Sequence, residues 1–334
     1  MDVMSKKSGY IQAAGAVLAL AIVAGCGGGG SSSAPTPTPT PPPPGPGGSG
    51  AMFYTQAGSA SRLDVSAGVE SKKALATDSN DQLGYGGGLF TDVTVVTHTT
   101  AAPNEYTVNL WQYTAGTFQF VKSLPVISSA GLRVSGPVQP SSDGTRFALH
   151  TIENNGLGTP DTDHIYAVDA SANVLMHASG LHDPVWLGAS AIVAAGDDGL
   201  FSIPLAAPST PVRIGAIGLG SAGNAPSQPA VSPDGSAIAF IQGGALWRIN
   251  VDGSSLTQLS QVHAGQAWPA WSPDGTKVTV VRGDCPPLGS GSPEPDIVPL
   301  SATTANQDVT STAAVMKQGS VPARSCGPVY WTAS

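Results

Sequence analysis

Short apolar runs alternate with turn residues from Gln228 to Ser260, and the rest of the chain repeats this pattern. The runs are Pro229-Ala-Val231, Ala237-Ile-Ala-Phe-Ile241, Leu246-Trp-Arg-Ile-Asn-Val251 and Leu256-Thr-Gln-Leu259; between them lie Ser232-Pro-Asp-Gly235, Gly243-Gly244 and Asp252-Gly253. β-rich runs bounded by such residues predict strands. In the first turn Pro233 presets φ, Asp234 can bond its own backbone and Gly235 accepts positive φ. Four strands and three tight turns make a β-meander the size of one propeller blade.

The opening of this unit recurs forty residues on, from Trp268 to Val281. A repeat of this kind decides the fold, because one copy cannot bury its own apolar face. Second-strand markers occur at Met52–Tyr54, Val93–Val96, Arg146–Leu149, Ala191–Val193, Ala237–Ile241 and Lys277–Val281. Third-strand markers are Arg62–Val65, Val108–Trp111, His164–Val168, Leu200–Ile203, Leu246–Val251 and Asp296–Leu300. Six of each predict an all-β, six-bladed propeller of four-stranded blades. First-strand markers begin at Pro137, Pro184, Pro229, Pro269 and Pro328, and the last stops at Ser334 without further strands. The segment from Ala51 lacks a first strand, so the two chain ends should share one blade, closing the ring and removing an exposed sheet edge.

The segments Pro229-Ala-Val-Ser-Pro-Asp-Gly235 and Pro269-Ala-Trp-Ser-Pro-Asp-Gly275, each followed by a β-run and a third strand, resemble TolB-type β-propeller repeats. The resemblance covers about residues 51–334. It is specific in blades five and six and fair in three and four; in blade two Gly86-Gly-Gly-Leu-Phe-Thr-Asp92 replaces the motif. TolB proteins carry an additional α/β domain ahead of the propeller, and no stretch of residues 1–50 could form one. The resemblance therefore implies the fold and not the Tol-system partners.

Residues 1–25 have the form of a signal peptide, with Lys6 and Lys7 ahead of an apolar Tyr10–Ala24 segment too short for a comfortable membrane span. Leu20-Ala-Ile-Val-Ala-Gly-Cys26 resembles the bacterial lipoprotein processing box, which implies lipidation of Cys26 and an anchor of several acyl chains. The alternative is an ordinary secretory signal with an incidental cysteine. By resemblance to enteric sorting rules, Gly27 favours the outer membrane over the inner, leaving the domain periplasmic or surface-exposed. Residues 26–50, rich in Gly, Ser and Pro, cannot pack a core and predict a tether of tens of ångströms at about 3 Å per residue.

A net charge of −8, one unit more negative once Asp2, Lys6 and Lys7 are removed, excludes a basic nucleic-acid footprint. Charged residues make up 11% of the chain, which fits an extracytoplasmic all-β protein better than a cytosolic helical enzyme. In such a compartment Cys285 and Cys326 are expected to pair as a disulfide.

The loops joining second and third strands grow at His98–Tyr106, Ile152–Asp163 and Arg282–Pro295, all on one face. Glu105, Glu153, Asp161, Asp163, Glu294 and Asp296 give that face an acidic set suited to a basic partner. Asp161-Thr-Asp163 lacks the later oxygen ligands of a calcium loop, so no metal is expected. Trp186, Trp271 and Trp331 near the channel suit either packing between blades or stacking on sugars. No nucleophile elbow and no His-Glu-x-x-His occurs, and no catalytic residue or cofactor is assigned. Gly218–Gly223 spells the dinucleotide fingerprint, but Pro226 and Pro229 leave no room for the helix it needs. His164 beside Asp163 is a weak pair by sequence alone. The leading expectation is a lipid-anchored, non-catalytic module that docks an envelope protein on the long-loop face. The alternative is a carbohydrate-binding, hydrolytic or lyase propeller with its site at the central channel, and a third possibility is a purely structural surface-layer or adhesin component. Carboxylates or histidines around the channel mouth would favour the second.

Overall fold

The computed structural model describes residues 50–333 except 57–58, 66–68, 75–82, 97–104, 126–131, 157–158, 207–209, 216, 218–223, 287–294, 312–314 and 319–320. The signal segment, Cys26, the tether up to residue 49, Gly218–Gly223 and Glu294 therefore lie outside the described residues.

The chain forms a six-bladed, antiparallel β-propeller, and the described residues include no helix. Blade one holds β1 (Ala51–Gln56), β2 (Ser59–Asp64) and β3 (Val69–Ala74). Blade two holds β4 (Gly84–Gly86), β5 (Leu89–Val96), β6 (Glu105–Thr114) and β7 (Thr117–Pro125). In blade three follow β8 (Leu132–Pro140), β9 (Arg146–Glu153), β10 (Thr162–Asp169) and β11 (Val174–Ser179), and in blade four β12 (Leu181–Leu187), β13 (Ala191–Gly196), β14 (Gly199–Pro204) and β15 (Val212–Arg213). Blade five comprises β16 (Ser227–Val231), β17 (Ala237–Gln242), β18 (Ala245–Asn250) and β19 (Thr257–Gln258). Blade six comprises β20 (Gln266–Trp271), β21 (Lys277–Arg282) and β22 (Asp296–Ser301), with a small hairpin of β23 (Lys317–Gln318) and β24 (Val321–Pro322). The last strand, β25 (Val329–Thr332), pairs with β1 through Met52↔Trp331 and Phe53↔Tyr330, so the two chain ends complete blade one as expected.

Alternation along each second strand explains why the blades need one another. On β17, Ile238 and Phe240 pack toward blade four while Ala237, Ala239 and Ile241 pack toward blade six. Successive side chains of a strand point to opposite faces, so a strand buried on both faces is apolar throughout. Six apolar clusters result, one at each blade-to-blade junction, including those on either side of the closing blade. Trp186 and Trp271 are buried in these junctions; each indole N–H donates to a carbonyl of the preceding blade's inner strand, Gln139 at 2.8 Å and Ala230 at 2.9 Å. Trp331 is buried likewise, so all three serve packing between blades.

The Ser-Pro-Asp-Gly turns behave as their residues dictate. Asp234 Oδ1 accepts from Ser232 Oγ at 2.6 Å and from the Ser236 N–H at 3.0 Å, and Gly235 adopts a φ of 71°. Asp274 and Asp143 repeat this geometry. Blade two departs from the motif for a steric reason. A Cβ on Gly84 would overlap the Val138 carbonyl, and one on Gly86 the Pro140 carbonyl, so β4 passes too close to β8 for any side chain there.

Blade six also departs from a plain four-strand meander. The stretch after β22 crosses to blade five, where Gln307 N–H donates to the Leu259 carbonyl and Asn306 N–H to that of Gln258. The outer place beside β22 is filled instead by Met316 and Ala323, which bond Ile297 on its carbonyl and N–H respectively. Cys285, in the β21–β22 loop, is bonded to Cys326, just ahead of β25, with their Cα atoms 5.5 Å apart.

Candidate functional site

The six inner strands β4, β8, β12, β16, β20 and β25 surround a central channel of about 590 Å³. Being the inner edge of its blade, each has one side without a ladder partner, which is where proline is tolerated. Pro137, Pro184, Pro229, Pro269 and Pro328 line the channel accordingly.

The residue ahead of each of the first four prolines has a left-handed backbone: Gly136 (φ 74°), Asp183 (φ 51°), Gln228 (φ 51°) and Trp268 (φ 53°). Three of the seven non-glycine residues with positive φ among the described residues thus occupy one structural position. Such backbones cost roughly 1–3 kcal/mol each and concentrate where function requires them. Each lies in a β-bulge, where the ladder slips between Ser135 and Gln139, His182 and Val185, Ser227 and Ala230, and Ala267 and Ala270. Bulges re-aim side chains.

The re-aimed side chains link successive blades across the channel mouth. Asp183 Oδ2 accepts the Gln228 N–H at 2.9 Å, and Gln228 Oε1 accepts the Trp268 N–H at 2.8 Å. Asp183, Gln228 and Trp268 all line the channel, together with His150, Tyr85 and Tyr330. Further along, Gln139 Nε2 donates to the Tyr330 hydroxyl at 2.7 Å, and burial pushes that phenol well above its usual range.

Two histidine–aspartate pairs stand at this mouth. His150 Nε2 is 2.7 Å from Asp163 Oδ1, and His182 Nδ1 is 3.1 Å from Asp183 Oδ2; the two rings lie 6.1 Å apart. Burial lowers the pKa of His150, and its bond to Asp163 offsets this only in part. Burial also opposes protonation of His182, but the hydrogen bond to Asp183 and the charges of Asp183, Asp163 and Asp197 outweigh it and raise the pKa. For Asp183, burial favours the neutral acid; the bond and charge of His182, the Gln228 N–H and His150 reverse that and hold the carboxyl below its usual range. A cationic His182, an ionised Asp183 and a neutral His150 therefore meet beside the indole of Trp268. Together they offer donors, acceptors and an aromatic face to a small polar molecule.

The mouth lies on the same face as the connections between second and third strands, opposite the Ser-Pro-Asp-Gly turns. Of the acidic residues on that face, most have partners within the chain. Asp163 holds His150, Glu153 Oε2 is 3.2 Å from His164 Nε2, and Asp161 is 3.9 Å from Arg133. Asp296 accepts from Arg282 Nη2 at 2.6 Å and Arg324 Nε at 3.0 Å. Glu105 begins β6 on this face. Asp163 and His164, neighbours in sequence, point to opposite faces of β10 and do not pair. Sequence reasoning did not single out Asp183, Gln228, Trp268, His150 or His182; the available signal was the residue ahead of each repeated proline.

No protein-family profile matches the sequence, and no curated protein is detectably related to it. Solved structures of similar shape include TolB from Acinetobacter baumannii (15% identity, TM-score 0.49, covering 77% of this chain and 65% of that one). Others are the periplasmic gluconolactonase of Pseudomonas aeruginosa (14%, 0.46, 75% and 78%) and oligogalacturonate lyase from Vibrio parahaemolyticus (12%, 0.44, 73% and 68%). This chain thus spans less than two thirds of the TolB chain.

Proposed function

We propose that this chain is an envelope-tethered propeller that binds a small polyhydroxylated ligand, of the carbohydrate class, in its central channel. The observation that carries the reading is the line of left-handed residues Asp183, Gln228 and Trp268. Three strained backbones at one repeated position aim a carboxylate, an amide and an indole into one cavity. A carboxylate and an amide suit neighbouring hydroxyls, an indole suits the C–H face of a sugar ring, and about 590 Å³ accommodates a mono- or disaccharide. The envelope address is supported by the signal-like residues 1–25, Cys26 and the Pro-rich stretch after it. Gly50 leaves the domain beside Thr332, at the end opposite the histidine pairs, so a tether there would leave the mouth facing away from the membrane.

A screen of mono- and disaccharides by thermal shift tests the binding claim. The expected result is a rise in unfolding temperature with at least one sugar that Trp268→Ala abolishes; no rise with any sugar would refute it. Protein docking is the second reading, favoured by the three long loops that share the face of the mouth.

A further inference from the structure

Blade three carries another histidine cluster on its outer strands. His164 on β10 pairs with Ser179 on β11, and Tyr166 with His177, so the two histidines stand diagonally across the ladder. His164 Nδ1 lies 3.0 Å from His177 Nε2 and 3.1 Å from Ser179 Oγ. The other nitrogen of His164, Nε2, lies 3.2 Å from Glu153 Oε2. An ionised carboxylate only accepts, so Nε2 carries the hydrogen and Nδ1 turns its lone pair toward His177. His164 is buried, whereas His177 and Ser179 are exposed and open the cluster to solvent. Tyr166 stacks on His177 with ring centroids 4.5 Å apart, which limits the orientations of that ring.

We propose that His164 Nδ1 and His177 Nε2 bind a divalent transition-metal ion of the zinc, copper or nickel class, with Glu153 positioning His164 and water completing the coordination. Imidazole is a favoured ligand for these ions, and metal-binding histidines commonly give their other N–H to a carboxylate. The ring geometry fits. With metal–nitrogen bonds of about 2.0–2.1 Å, two imidazoles on a tetrahedral ion have nitrogens about 3.3 Å apart and centroids about 5.2 Å apart. Here the nitrogens are 3.0 Å apart and the centroids 5.2 Å. Widening the nitrogens by about 0.3 Å takes a small rotation of the exposed His177. Without metal, His177 donates its Nε2–H to His164; on binding, that hydrogen moves to His177 Nδ1, and no net proton is released. Among the described residues no three His, Cys, Asp or Glu side chains group to hold a metal ion. The site is therefore an open one, with two protein nitrogens and free positions for water or an incoming ligand.

Calorimetric titration of the full chain in detergent, purified without a polyhistidine tag, with zinc chloride tests the proposal. One saturable site is expected. His177→Ala should weaken it more than tenfold, Glu153→Gln about 10- to 100-fold, and His263→Ala, on blade five, not at all. Because His164 is buried and its replacement could disturb the fold, the exposed His177 carries the test, with its unfolding temperature checked against the parent. Copper-loaded chain should show coupling to two nitrogens by electron paramagnetic resonance, and to one after His177→Ala. Absence of saturable binding, or binding undiminished in His177→Ala, overturns the site; unchanged affinity in Glu153→Gln overturns the role of Glu153.

Discussion

Replacing both Cys285 and Cys326 by alanine should loosen the ring at its seam. Their bond ties the β21–β22 loop of blade six to the approach of β25, the strand that completes blade one. The two cysteines are 41 residues apart, and a closed loop of that length restricts the unfolded chain by about 4 kcal/mol. For residues 51–334, unfolding entropy near 2.1 cal/mol/K per residue sums to about 0.6 kcal/mol/K, so the midpoint should fall by about 7 °C. Differential scanning calorimetry of the double variant and the oxidised parent measures this directly. Reductant should lower the parent by a similar amount and leave the variant unchanged. A midpoint within about 2 °C of the parent would refute the reasoning, because the loop-entropy effect of a 41-residue separation cannot be that small without compensating native strain.

Gly84→Ala should destabilise by about 1–3 kcal/mol or more, because its Cβ would overlap the Val138 carbonyl and Thr91 Oγ1. Gly327→Ala, whose nearest neighbour would be 3.7 Å away, should not; chemical denaturation compares the two. Proton NMR should find His150 titrating below the ordinary histidine value and His182 above it, with Asp183→Asn returning His182 toward that value. Since the folded pKa of His182 is raised, its contribution to stability is complete below its ordinary pKa of 6.5 and is lost as pH rises through the folded value. Asp143 and Asp234 act in the opposite sense. Their hydrogen bonds, chiefly from Ser141 and Ser232, depress both to about 2, so they stabilise above their ordinary 3.8 and the benefit disappears as pH falls through about 2. Asp143→Asn with Asp234→Asn should flatten the acid limb of a stability-against-pH curve.

The propeller was legible because its signal is periodic. All six second strands and all six third strands fall where the apolar runs place them, and the match between the segment from Ala51 and the one from Ala237 foretold the shared blade. Blade six was legible only in part, because the crossing of residues 306–307 to β19 depends on hydrogen bonds made by Gln307, not on any apolar run. The channel mouth was less legible still. Asp183, Gln228 and Trp268 share neither type nor charge, and what unites them is a backbone conformation ahead of proline. The carboxylates were visible, but their partners were not: strand alternation sends Asp163 to His150 and His164 to Glu153, although Asp163 and His164 are adjacent.

Calorimetric titration of a sugar selected by the thermal screen into the parent, Asp183→Asn and Trp268→Ala chains tests the central claim most directly. The channel account expects saturable binding that each substitution weakens at least tenfold and that shortening the loop at 283–295 leaves unchanged. Binding that survives both substitutions but disappears with the loop would contradict it and move the site to the long-loop face.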